Sequence, residues 1–165
     1  IDAGKEYNAI PYGTEALGVM RVEKGHAAGN ELTGQTTAQN LGLEKMMSLK
    51  KDYIGNILSK RSGLNKDNKN ILMGFKPVNK NIDLKAGAHF ISKGKKACTE
   101  NDEGWMSSVV FSPILNLSIG LGFIKNGKNR IGEIVRAVDP LRGNEVDVEI
   151  VSPHFIDPEG VRLRG

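Results

Sequence analysis

Hydrophobic and polar positions follow two different periods along the chain, helical in the first third and alternating beyond it. Between Tyr12 and Gly25, Ala16, Leu17 and Met20 fall on one face of a helix and are expected to pack inward. Both ends of that helix are marked. Thr14 suits the N-cap, and Glu15 places negative charge in the first turn, where the helix dipole favours it. Arg21 and Lys24 sit toward the other end, and Gly25 is free to take the left-handed conformation that closes a helix. Arg21 and Glu23 interrupt an otherwise apolar run of Val19, Met20 and Val22. Charges set in such a run either form a buried ion pair or face a polar ligand.

The flanking segments are less regular. Residues 1–11 have no periodic element, and Pro11 and Gly13 bracket a turn into the helix. Tyr7 and Tyr12 either anchor that entrance or stack on a flat ligand. Residues 26–42 are rich in Gly, Thr, Asn and Gln and predict a long ordered loop, a feature that tends to carry function. His26 within it is a candidate ligand contact without a recognisable partner acid. Leu43–Leu49 reads as a weak strand bearing Met46 and Met47. Ile54, Ile57 and Leu58 recur at helical spacing and predict a second helix over Tyr53–Arg61. The polar stretch Ser62–Asn70 reads as a linker or domain boundary.

From Ile71 onward, short apolar runs alternate with turn signals. Strands are expected at Ile71–Phe75, Ala88–Ile91, Trp105–Phe111, Leu117–Ile124, Ile131–Val138 and Val146–Val151. In the fourth, small residues occupy one face, which predicts close approach by another backbone, and Asn126-Gly127 beyond it is a hairpin signal. The sixth is apolar on one side and acidic on the other. The tail passes through a Pro-Glu-Gly turn. Such a set of strands makes a small antiparallel barrel or a sandwich.

Composition narrows the functional classes. The chain has 165 residues and carries a net charge of +4 from 23 basic and 19 acidic residues, with only 5% aromatics. That is a solvated basic surface rather than the basic stripe with interleaved aromatics of a nucleic-acid binder. Cys98 has no partner for a disulfide and no Cys or His at zinc spacing. There is neither a signal-peptide core nor an apolar run of bilayer length, so the expected compartment is the cytoplasm and no membrane contact is expected. The chain begins at Ile1 rather than Met, so a processed chain or a piece of a longer protein is expected. Gly120-Leu121-Gly122 lacks the third glycine of a dinucleotide fingerprint, and Lys93-Gly94-Lys95-Lys96 is a hairpin tip rather than a phosphate loop. His26, His89 and His154 are too scattered to predict a metal site. Residue chemistry alone does not name an enzyme.

Several motifs do carry a resemblance. Gly13-Thr14-Glu15-Ala16-Leu17 leading to Arg21-Val22-Glu23-Lys24-Gly25 resembles the "G-x-x-A-L-x-x-L-R-x-E-x-G" helix of the aminomethyltransferase (glycine cleavage T-protein) superfamily. Lys50-Lys51-Asp52-Tyr53-Ile54-Gly55 resembles its "K-x-D-F-I-G" signature, and Ser112-Pro113 through Ile119-Gly120-Leu121-Gly122-Phe123-Ile124 its barrel signature. With Gly34-Gln35-Thr36-Thr37, Asn40-Leu41-Gly42-Leu43 and the terminal Asp157-Pro158-Glu159-Gly160-Val161-Arg162-Leu163, the chain is similar to one branch, the C-terminal folate-binding region of heterotetrameric sarcosine oxidase alpha subunits.

The resemblance implies an α+β fold: the C-terminal part of a T-protein-like folate-binding domain over residues 1–67, then a small antiparallel β-barrel over 68–165. It implies that tetrahydrofolate is bound and accepts the methylene group of oxidised sarcosine, giving 5,10-methylenetetrahydrofolate. Arg21 occupies the folate-site arginine slot and Glu23 the acidic slot, where a structural pairing with a lysine or with Arg21 is the other reading. Tyr12 and Arg162 are further candidates for folate contacts, with an exposed terminal arginine as the alternative for Arg162. No catalytic residue is expected in this chain, because the family's reactive aspartate lies upstream of the matched residues. FAD, FMN and NAD are expected elsewhere in the complex. The implied partners are other alpha-subunit segments and the beta, gamma and delta subunits, and apolar surface should lie exposed where a missing half packs. A stand-alone aminomethyltransferase of glycine cleavage, or a non-catalytic folate- or RNA-binding scaffold, are the other readings of the same fold.

Overall fold

The computed structural model describes residues 1–48, 50–64 and 68–164, with the backbone alone of Leu163. Each apolar run after residue 69 forms a strand: β1 (Asn70–Pro77), β2 (His89–Ser92), β3 (Asp102–Ser112), β4 (Leu117–Lys125), β5 (Ile134–Asp139) and β6 (Asn144–Val151). They close into a barrel in the order β1-β4-β3-β2-β5-β6 with every pairing antiparallel. Of the barrel and the sandwich, the chain adopts the barrel, which leaves no edge of unpaired backbone donors and acceptors. Pairing of Gly74 with Val151 and of Phe75 with Ile150 joins the first strand to the last.

The interior is small and full. Phe75 and Phe90 stack with ring centroids 4.0 Å apart at 17°, and Met73, Met106, Ile124, Val135, Val148 and Ile150 pack around them. This crowding explains the two faces of β4. Gly120 and Gly122 turn inward, where a Cβ on Gly122 would stand 2.6 Å from the Trp105 carbonyl oxygen and 3.0 Å from the Phe90 ring. Ile119, Leu121 and Phe123 turn outward and join Leu72, Leu117 and Val22 in a second apolar cluster. That cluster lies beneath α1 (Thr14–Lys24), so β4 is buried on both sides.

The helix ends as expected, with Gly25 at φ 76°, although Gly13 rather than Thr14 takes the extended N-cap conformation. Its inward face differs from the expected one. Val22 and Glu23 are buried, whereas Ala16, Leu17 and Met20 are exposed, because α1 meets the barrel through its C-terminal half. Leu43–Leu49 is not a strand: Glu44–Met46 forms one 3-10 turn, and Leu49 lies outside the described residues. The second helix shrinks to a single turn, α2 (Asn56–Ser59), and Ile54, Ile57 and Leu58 all face solvent. Asn126-Gly127 is not a hairpin turn. Asn126 adopts φ 55° and opens a 3-10 turn over Gly127–Arg130, after which β5 pairs with β2 and β6 rather than with β4. Part of the expected linker, residues 65–67, lies outside the described residues. The tail makes its turn at Asp157–Gly160 and then adds α3 (Val161–Arg164), a helical turn the pattern does not announce. Among the described residues, no helix is long and apolar enough to cross a membrane.

Gly122→Ala places a methyl against backbone and an aromatic ring that cannot both yield. It is expected to destabilise the fold by about 1–3 kcal/mol, read as a lower urea midpoint with an unchanged slope.

Candidate functional site

The polar centre of the molecule lies where the last turns of α1 cross β3. Strands alternate their side chains between faces, yet Ser107 and Ser108 both reach one carboxylate. A bulge between Met106 and Ser108 makes this possible by slipping the register against β4. The carboxylate is Glu31, 0% exposed, in the loop that follows α1. Its Oε1 accepts from the hydroxyls of Ser107 and Ser108, each at 2.6 Å. Its Oε2 accepts from the Ala28 amide at 2.9 Å and from Arg21 Nη1 at 3.0 Å. Arg21 Nη2 donates in turn to Ser108 Oγ at 2.7 Å, closing a ring of hydrogen bonds.

Burial pushes the Glu31 carboxyl up, but the Ser107 and Ser108 hydroxyls, the Ala28 amide and the Arg21 guanidinium outweigh it and hold it below its ordinary 4.5. Of the two readings open for Arg21, the buried ion pair is present. The arginine nonetheless keeps 21% of its side chain exposed, and among the described residues its Nε–H has no partner.

Glu23, two positions on, points elsewhere and, among the described residues, pairs with neither Arg21 nor a lysine. It is buried and accepts from Ser112 Oγ at 2.6 Å, at the far end of β3. The C-terminal segment then folds back on the end of α1. The Phe155 and Ile156 amides donate to the Glu23 carbonyl at 2.9 and 3.0 Å, and His154 Nδ1 lies 2.8 Å from the Lys24 carbonyl oxygen. Lys24 reaches both the Asp157 carbonyl and its carboxylate, the latter at 3.1 Å. Asp157 Oδ1 accepts from the Val161 amide at 2.8 Å and so caps α3. Arg162 is thereby carried to the same end of the helix, with its own side chain exposed. Tyr12 stands apart at the N-terminal end of α1, 63% exposed.

Arg21, Glu23 and Arg162 are thus gathered around one helix end, while Tyr12 is not. A cleft of about 1150 Å³ is lined by none of them. It lies between the Thr33–Thr36 loop, Arg61 and the barrel wall, where Trp105 and Phe123 tilt together at 5.3 Å. His26 is exposed and contributes backbone only, its amide donating to the Arg21 carbonyl and its own carbonyl accepting from Arg21 Nη1 at 3.4 Å. His89 does find an acid, Asp102, at 2.9 Å across β2 and β3. The sequence reading missed Glu31 because a lone acid in a polar loop gives no pattern. The legible signal was Ser107-Ser108, adjacent hydroxyls inside an apolar strand, which implies a bulge and a buried acceptor.

The chain is thus a closed six-stranded antiparallel barrel with a helix tied across it by a buried ion pair. Residues 71–157 match the glycine cleavage T-protein C-terminal barrel domain, and the chain belongs to that family. The chain is similar to sarcosine oxidase subunit alpha of Rhizobium meliloti, 37% identical over 99% of this chain and 17% of that protein. The same subunit of Corynebacterium sp. strain P-1 is 39% identical over 99% of this chain, again 17% of its own length. An aminomethyltransferase of Aquifex aeolicus is 32% identical over 95% of this chain and 37% of that protein. The fold is similar to that of the glycine cleavage system aminomethyltransferase T from Bartonella henselae, with TM-score 0.63 and 19% identity over 87% of this chain and 38% of that one. These relatives are enzymes, and the chain spans 17% of the length of the two sarcosine oxidase subunits.

Because Glu31 is held below 4.5 in the fold, its stabilising effect is present above that pH and is lost as pH falls through the lowered value. The melting temperature is therefore expected to drop below about pH 4.5, and Glu31→Gln to flatten that drop. Arg21→Ala leaves the buried carboxylate without its counter-charge and is expected to cost about 3 kcal/mol at pH 7, measured by urea unfolding.

Proposed function

We propose that this chain is the C-terminal folate-side region of a sarcosine oxidase alpha subunit, in which tetrahydrofolate accepts the methylene group of oxidised sarcosine to give 5,10-methylenetetrahydrofolate. The observation that carries the reading is similarity along 99% of the chain to sarcosine oxidase alpha subunits, at higher identity than to the Aquifex aminomethyltransferase. On this reading, residues 1–67 complete a folate-binding domain and residues 68–165 form its barrel domain.

The residues present fit one wall of such a site. Arg21 is held in a fixed plane yet retains an exposed edge with an unused Nε–H, which suits a planar ligand rich in acceptors. Glu23, satisfied by Ser112, acts by fixing the helix that presents Arg21. Arg162, exposed at the same helix end, is placed to meet the anionic tail of folate, and Tyr12 a more distant part of it. Tetrahydrofolate would supply the nucleophilic nitrogens that take up the one-carbon unit. FAD, FMN and NAD belong to other parts of the complex.

The exposed Leu17, Met20, Met46, Ile54, Ile57 and Leu58 are apolar side chains for the remainder of a longer alpha subunit to cover, with the other subunits beyond it. Alone, the chain is catalytically incomplete.

Calorimetry on the protein purified at its full natural length, with its subunits, tests the reading. Tetrahydrofolate is expected to bind with micromolar affinity. Arg21→Lys keeps the charge that Glu31 needs but loses the planar fork, and should weaken binding about tenfold or more. Absence of tetrahydrofolate binding by the wild-type enzyme would sink the proposal. Salt-sensitive RNA binding in its place would support the scaffold reading.

A further inference from the structure

We infer that Glu31 is a positioning residue for Arg21, and that the pair recognises an uncharged, carbonyl-type edge of its ligand rather than a carboxylate. The inference rests on the folate reading above and adds to it the chemistry of the group that Arg21 meets.

Two properties of the cluster lead there. The first is geometric. Both terminal nitrogens of Arg21 are committed to one carboxylate, Nη1 directly at 3.0 Å and Nη2 through the Ser108 hydroxyl at 2.7 and 2.6 Å. Rotating the guanidinium about its last bond breaks both links at once, so its plane is set before any ligand arrives. The bulge that supplies Ser107 and Ser108 together makes this possible, and Ser107 also has the Leu121 carbonyl within 3.1 Å. Donors fixed in advance cost no ordering when a ligand binds.

The second is charge. Glu31 is fully buried and paired with Arg21, so the arginine's positive charge is already neutralised from behind. A ligand carboxylate brought to the exposed edge would set a second anion close to Glu31 at a partly buried place, where like charges repel. A lactam or amide carbonyl accepts the same N–H groups and adds no net charge. Folate offers both kinds of group, carbonyls on its ring and amide and carboxylates on its glutamyl tail. The pair selects the carbonyls.

Glu31→Gln separates these properties. A glutamine can accept from Arg21 and the Ala28 amide through its oxygen and donate to the serine hydroxyls through its nitrogen, since hydroxyls rotate to accept. The contacts are kept, with Ser108 giving up only the acceptor for its own hydroxyl hydrogen, and the charge is removed.

The experiment measures affinities of the full-length enzyme for p-aminobenzoylglutamate and for its diamide, which keeps the amide carbonyl and lacks only the carboxylate charges. In Glu31→Gln the affinity ratio is expected to shift about tenfold toward the carboxylate ligand, as Arg21 gains a charge-assisted partner, and to fall back in high salt. A purely structural role for Glu31 would lower both affinities together without changing their ratio or its salt dependence. A ratio within about twofold of wild type overturns the charge assignment. Ser108→Ala, which frees Nη2 while leaving the Arg21–Glu31 contact, should weaken tetrahydrofolate about fivefold; unchanged affinity overturns the positioning assignment. Wild-type protein that binds no tetrahydrofolate overturns the folate reading itself. Binding that Arg21→Lys abolishes, with Glu31→Gln and Ser108→Ala both silent, overturns this inference alone.

Discussion

A carboxylate removed from water must be given donors in place of the ones it loses, and the burial of Glu31 organises the junction of this molecule around that requirement. Its four donors come from three separate places: Ala28 in its own loop, Arg21 in α1, and Ser107 and Ser108 in β3. Meeting all of them fixes where the loop turns, how the helix crosses the barrel and where β3 bulges. Hydrogen bonds are directional, so the arrangement specifies orientation more sharply than apolar contact does. Its stability is contingent, since the same four partners that stabilise the charged form would leave it exposed to a large penalty if one were lost.

Apolar packing supplies the complementary part. The barrel interior is filled by its own residues, with Phe75 on Phe90, and at positions 120 and 122 of β4 there is room only for glycine. Ile119, Leu121 and Phe123 of β4 are thereby turned outward, and Val22 of α1 covers them. The helix is thus held to the barrel by one apolar cluster and by polar ties on either side of it: Arg21 with Glu31 and Ser108, Glu23 with Ser112, and Lys24 with Asp157. Consecutive polar residues on a helix point in different directions, so these ties clamp α1 from several sides.

This division explains what the sequence could and could not disclose. Strand positions were legible because a barrel with a filled interior forces alternation, and the small face of Leu117–Ile124 correctly announced a close approach. Whether the large face looked in or out was not legible, since alternation is the same in both cases. Ala16, Leu17 and Met20 misled because helical spacing marks an apolar stripe without saying what covers it. Asn126-Gly127 misled in another way: Asn126 does take the left-handed conformation, but the chain continues into a 3-10 turn instead of returning along β4. At the site, Arg21 and Glu23 stood out as charges in an apolar run. Glu31 had no such contrast and became visible only when β3 was laid beside it.

The exposed apolar residues give the polar ties a further consequence. Ile10, Leu17, Met20, Met46, Ile54 and Ile57 lie outside both apolar clusters, so the barrel does not need them. Had α1 been held by hydrophobic contact alone, Leu17 and Met20 would compete with Val22 for the surface of β4, since apolar burial has no preferred direction. The buried ion pair and the Ser112 contact prevent that rotation. They keep the polar edge of Arg21 on one side of the helix and leave the apolar stripe free on another, available to a covering surface. The ion pair therefore settles which face of α1 turns to the barrel and which stays exposed, a distinction that spacing along the helix does not contain.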